Sequence, residues 1–243
     1  MSRSVLVTGA SRGIGLATAK RFASAGERVV LAARSQDGLD RAIADMTAPD
    51  GTAWSWAGDV TDPDACVAMV QYVQEVAGGV DVCVLGAGIG HWTPTEAMSV
   101  DDWRSTMAVN VDAVFYTTRA VLPTMLAAGQ GHLVYVSSVL GGRGVPNMAA
   151  YAASKAAVSA FAESVAAEVK PRGVKVTVVN PGTTATGMRD HQTLRPQTPD
   201  ITEEELQLAP DDVADAIIWA TSVSDRAYPT AVTIEPRGTA GRT

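Results

Sequence analysis

Tyr151 and Lys155 stand four residues apart in Tyr151-Ala152-Ala153-Ser154-Lys155, within an alanine-rich run that reaches Lys170. If that run is helical, the two side chains lie one above the other on one face. A phenol held beside an ammonium gives up its proton more readily, because the cation favours the phenolate. Such a group can both give and take a proton close to neutral pH, which is general acid–base chemistry. Ser138 follows an apolar, strand-type segment from His132 to Val136, where its hydroxyl could sit beside the phenol and bond a carbonyl oxygen. Tyr-x-x-x-Lys also arises by chance on many helices, so the elements around it must carry the weight.

At the other end of the chain an apolar strand from Ser4 to Val7 leads into Thr8-Gly9-Ala10-Ser11-Arg12-Gly13-Ile14-Gly15, and a helix follows from Leu16 to Ala25. Glycines let backbone approach a phosphate closely, and a helix N-terminus offers it free N–H groups. The spacing Gly-x-x-x-Gly-x-Gly is neither the Gly-x-Gly-x-x-Gly of other dinucleotide folds nor a nucleoside-triphosphate loop. Tight packing alone would explain a glycine triplet, but its place between strand and helix favours a cofactor. The second strand, Arg28 to Ala33, ends in Arg34-Ser35. An acidic residue there would bond a ribose 2′-hydroxyl, whereas arginine takes a 2′-phosphate. Arg12 and Arg34 together therefore predict NADP(H), although either alone reads equally as a solvated side chain.

These motifs together resemble the short-chain dehydrogenase/reductase family in its compact single-domain branch. Strand and helix patterns alternate along the chain, the signature of a parallel sheet. The resemblance implies a doubly wound, Rossmann-type α/β fold: a mostly parallel sheet of about seven strands, helices on both faces, one domain over residues 1–243. It implies hydride transfer in which Ser138 steadies a carbonyl oxygen and Tyr151 donates its proton. Lys155 lowers the phenol's pKa and binds ribose hydroxyls. Asp59-Val60 resembles the family's adenine-contacting pair, and Asp59 could instead cap a helix beginning near Pro63. Ala87 and Gly88 keep the small profile needed beside the cofactor. Leu85-Gly86 replaces the family's two asparagines, so a hydrogen bond bracing the central strands is expected to be missing or replaced by water. Asn110, within a long helical region from Ser99 to Ala128, resembles the asparagine that holds a water against the lysine. It stands among both the catalytic and the cofactor residues, with an ordinary core amide as the alternative. Pro181, Gly182, Thr184 and Thr186 match the family's Pro-Gly-x-x-x-Thr, which holds the nicotinamide carboxamide.

The chain has 243 residues and a net charge of −7, which argues against nucleic acid or acidic membrane surfaces as partners. Met1-Ser2-Arg3 leads straight into a strand without a signal pattern, and no apolar run is long enough to span a bilayer, so a cytoplasmic protein is expected. Cys66 and Cys83 read as buried, reduced thiols. His91, His132 and His191 form no ligand cluster with them, so no metal is expected. Residues 186–208, with Met188-Arg189-Asp190-His191 and an acidic run, sit where a lid would lie, a solvated loop being as good a reading. The Ile234-Glu235-Pro236-Arg237 ending lacks the Val-Asp-Gly-Gly of many 3-oxoacyl-carrier reductases. It looks more like the branch of clavulanate dehydrogenase and broad small-carbonyl reductases. The expected substrate is thus a small carbonyl or alcohol, with an acyl-carrier thioester or a non-catalytic NADP(H) sensor as alternatives. Family members pair through the catalytic helix and the helix bearing Asn110, so a homo-oligomer, dimer or tetramer, is expected.

Overall fold

In a computed structural model that describes residues 2–46, 52–188, 207–224 and 226–237, seven strands form one sheet in the order β3-β2-β1-β4-β5-β6-β7. They are β1 (Ser4–Thr8), β2 (Arg28–Ala33), β3 (Ala53–Ala57), β4 (Val82–Leu85), β5 (Gly131–Val136), β6 (Val174–Pro181) and β7 (Ala231–Ile234). All six pairings are parallel. Parallel neighbours need crossovers, and the chain supplies them as α1 (Gly13–Ser24), α2 (Gln36–Ala44), α3 (Pro63–Ala77), α4 (Val100–Met107), α5 (Ala113–Ala128), α6 (Ala149–Val169) and α7 (Pro210–Ser222).

Both faces of the sheet are covered, so its strands read as apolar runs rather than as alternations. The pleat divides each run: Leu6, Cys83, Leu85, Leu133 and Tyr135 join the core under α3, α5 and α6. Val5, Val7, Val82, Val84, Val134 and Val136 join the core under α1, α2 and α7. Cys66 and Cys83 are buried and free. Strand order reverses between β1 and β4, and the crevice beyond the carboxyl ends of the strands at such a point is where ligands bind.

The expected helical region from Ser99 to Ala128 is present without a break, α4 running into α5 through a π-helical turn, Ala108–Asp112, with Asn110 buried inside it. The Asp that caps α3 is Asp62, whose carboxylate accepts from Asp64 N. Beside the Leu85-Gly86 replacement, Thr8 Oγ1 at the end of β1 accepts from Gly86 N at 3.1 Å and Ala87 N at 3.4 Å, a brace between the two central strands that the sequence reading did not include. Most of the expected lid, residues 189–206, lies outside the described residues, although its flanks meet where Leu208 N donates to Thr183 O and Ala185 N to Leu208 O. No described helix is long and apolar enough to cross a membrane.

Candidate active site

The crevice opens as two adjoining hollows. The first, of about 410 Å³, is lined by Gly9, Ser11, Arg12, Gly13, Ile14, Gly15, Arg34, Asp59, Val60, Ala87, Gly88 and Thr186 among the expected residues. Gly9 takes a positive φ of 69°, and a Cβ there would stand 2.8 Å from the Ala87 Cα. A Cβ on Gly15 would overlap the Gly9 carbonyl oxygen. Side chains are therefore excluded at both positions, and backbone lines the hollow. Arg12 caps α1 without a side-chain bond, which leaves the first-turn N–H groups to an anion. The Thr61 amide above all, then the Thr61 hydroxyl and the charge of Arg34, hold the Asp59 carboxyl below its usual range despite partial burial. Asp59 thus stabilises the start of a turn at the rim, with Arg34 nearby.

The second hollow, of about 290 Å³, brings together Ser138, Tyr151, Lys155, Pro181, Gly182, Thr184 and Thr186. Both hollows share Ile14, Gly86, Gly88, Thr186 and Met188, so whatever fills one abuts the other. Lys155 is 5% exposed and its Nζ donates to Val136 O at 2.9 Å. That Nζ lies 5.6 Å from the centre of the Tyr151 ring, on the side the four-residue spacing predicts. Burial pushes the lysine down to about 8, because a dry site disfavours the ammonium. Ser138 Oγ accepts from Leu140 N at 3.1 Å, while its own proton reaches Pro181 O only at 3.5 Å, a weak hold that leaves it able to turn to a ligand.

Asn110 lines neither hollow. It is wholly buried, its Oδ1 accepting from Ile89 N at 2.8 Å and its Nδ2 donating to Ile89 O and Ser154 Oγ at 2.9 Å each. Its side-chain bonds are those of a core amide, and the residue lies beside the first hollow rather than in its lining. The helix that carries Lys155 is tied from the strand side as well, where Ser137 Oγ donates to the Lys155 carbonyl at 3.0 Å, an oxygen that also accepts from Ser159 Oγ one turn further along α6.

Sequence reasoning missed the walls of the second hollow. Trp92, Leu140, Val145 and Met148 give it an apolar side. Arg143 and Glu235, 3.7 Å apart, add a charged pair from two separate segments. Trp92 and Met148 are within a few residues of motifs already singled out, but nothing in their spacing marks them as facing a ligand.

A family model described as "short chain dehydrogenase" matches residues 3–197. Glycine betaine reductase ATRR of Emericella nidulans is 34% identical over 234 residues, 96% of this chain, and the chain spans 18% of that protein's length. A metagenomic short-chain oxidoreductase solved in complex with NADP is 34% identical, with a TM-score of 0.82 over 97% of this chain and 98% of that one. The 3-ketoacyl-(acyl-carrier-protein) reductase of Brucella melitensis, complexed with NADH, is 28% identical, with a TM-score of 0.88 over 97% and 98%.

Proposed function

This chain belongs to the short chain dehydrogenase family, and we propose that it moves a hydride between NADP(H) and the carbonyl or secondary alcohol of a small molecule. One observation carries the reading: the hollow that holds Ser138, Tyr151 and Lys155 shares a glycine wall with the hollow over the uncapped start of α1.

The residues present fit the dinucleotide. Gly9 and Gly15 keep a cradle open that any Cβ would fill. The free amides of α1 would take the pyrophosphate, and Arg12 and Arg34 are the groups that would hold a 2′-phosphate in charge-assisted bonds. Asp59 and Val60 would border the adenine, and Pro181, Gly182, Thr184 and Thr186 the carboxamide. When bound, NADPH supplies the hydride. Tyr151 gives its proton to the carbonyl oxygen, which Ser138 steadies with its loosely held hydroxyl. The Lys155 ammonium, close to the phenol ring and fixed on Val136 O, favours loss of that proton and offers its other N–H donors to ribose hydroxyls.

Likeness to the Brucella reductase supports a second substrate class, an acyl-carrier thioester. A panel of ketones, aldehydes and one 3-oxoacyl thioester, with NADPH consumption followed at fixed enzyme, tests both. Turnover of free carbonyls is expected, and thioester-only activity would replace the small-molecule reading. A chain whose melting temperature rises with NADPH but which consumes it with no compound would be a cofactor sensor. We also take the protein to be cytoplasmic and a homo-oligomer. Phe115 on α5 is 46% exposed and meets Phe161 of α6 edge-on, an apolar face suited to a second copy. Light scattering that gives a monomer would end that part.

A further inference from the structure

Between Tyr151 and Lys155 stands a polar side chain that lines neither hollow. Ser154 is wholly buried. Its hydroxyl donates to the Tyr151 carbonyl at 2.7 Å and accepts from Asn110 Nδ2 at 2.9 Å. These directions are forced, because a carbonyl can only accept. The Asn110 amide is equally determined, since Ile89 presents it one N–H and one C=O. A chain of short bonds therefore runs from Ile89 through Asn110 and Ser154 to the main chain of Tyr151. Ile89 closes the turn whose Gly86 and Gly88 form the wall common to both hollows. A Cβ on Gly88 would lie 3.4 Å from Asn110 Oδ1 and 3.5 Å from Lys155 Nζ, which shows how near that wall the link passes.

We propose that Ser154 is a positioning residue, which acts through Asn110 to hold the glycine wall in register with the helix that carries Tyr151 and Lys155. The proposal rests on the hydride-transfer reading above. Hydride donor and proton donor must meet one carbonyl together, and a misplacement of about 1 Å can cost on the order of 100-fold in rate. Alanine at 154 suits the helix but leaves an Asn110 N–H unpaired in a dry site, where such a group moves to find another partner. The clamp on Ile89 then loosens. A serine that merely stabilised the helix would have no reason to depend on Asn110.

The test is a double-mutant cycle on kcat, at saturating NADPH, with the best carbonyl of the panel. Ser154→Ala should lower kcat by about 10- to 100-fold, leaving the KM for NADPH close to the parent's. The same change made in Asn110→Ala should cost little more, because the link is already cut. Ser154→Thr keeps the hydroxyl and should retain most of the activity; this arm decides the matter if Asn110→Ala does not fold. Parent-like kcat in Ser154→Ala, an equal loss in both backgrounds, or an equal loss with threonine would overturn the positioning role alone. A parent that reduces no carbonyl would instead overturn hydride transfer, and the role of Ser154 with it.

Discussion

The two hollows share a wall and are built by opposite means. The dinucleotide side is backbone, glycine amides and helix start, with its arginines at the open rim. Nothing there is buried at a large electrostatic cost. On the carbonyl side a lysine is nearly enclosed, fixed by one carbonyl, with its pKa pushed down by burial. A site that recognises a fixed anion can be made of exposed dipoles. A site that must move a proton needs a charge held where water cannot screen it, and the fold bears that cost.

Tyr151→Phe separates the two sides most sharply. It removes the proposed general acid and should lower kcat by ~10²–10⁴, while the rise in melting temperature with NADPH survives. Loss of both together would mean that the hollows do not work as separate parts.

Lys155→Met reads the stability cost directly. The folded lysine sits at about 8, below its ordinary 10.5. Between those values the unfolded chain binds the extra proton, so this group's contribution to stability rises with pH. The penalty is full below pH 8 and fades toward 10.5. Urea unfolding of the ligand-free proteins at about pH 7.5 and about pH 10 should show the parent gaining on the variant by at most about 3 kcal/mol. Burial raises the thiols of Cys66 and Cys83 and works in the opposite direction, but equally in both proteins. A gap that does not change with pH would leave Lys155 without a buried charge.

Arg34→Ala should have the smallest effect, because the side chain is exposed and its interactions are screened. The KM for NADPH should rise by about tenfold, with that for NADH and kcat nearly unchanged. A greater melting-temperature rise with NADH than with NADPH in the parent would remove the 2′-phosphate reading altogether.

How far the molecule could be read in advance follows the same division. The Gly9-to-Gly15 turn was legible because it is one continuous stretch of backbone between a strand and a helix. Tyr151 and Lys155 were legible because helix geometry turns a spacing of four into a shared face. Asp59 and Asn110 were found as residues but not in their bonds. Asp59 serves its own turn while Asp62 takes the cap, and Asn110 spends its side chain on Ile89 and Ser154. The Thr8 brace was missed because its partners lie 78 and 79 residues away. Arg143 and Glu235 meet only because β7 returns beside β6, one strand over from β5.

The sequence by itself determined the alternation of strands and helices, the glycine turn between β1 and α1 and the Tyr151–Lys155 pairing on one helix face, since each depends on neighbours within a turn or two of chain. Only the tertiary structure decided what braces the central strands, where the Asn110 amide is bound and which side chains wall the carbonyl hollow. Those outcomes depend on which distant backbone group arrives opposite a given side chain, and burial leaves that side chain no water to bond instead.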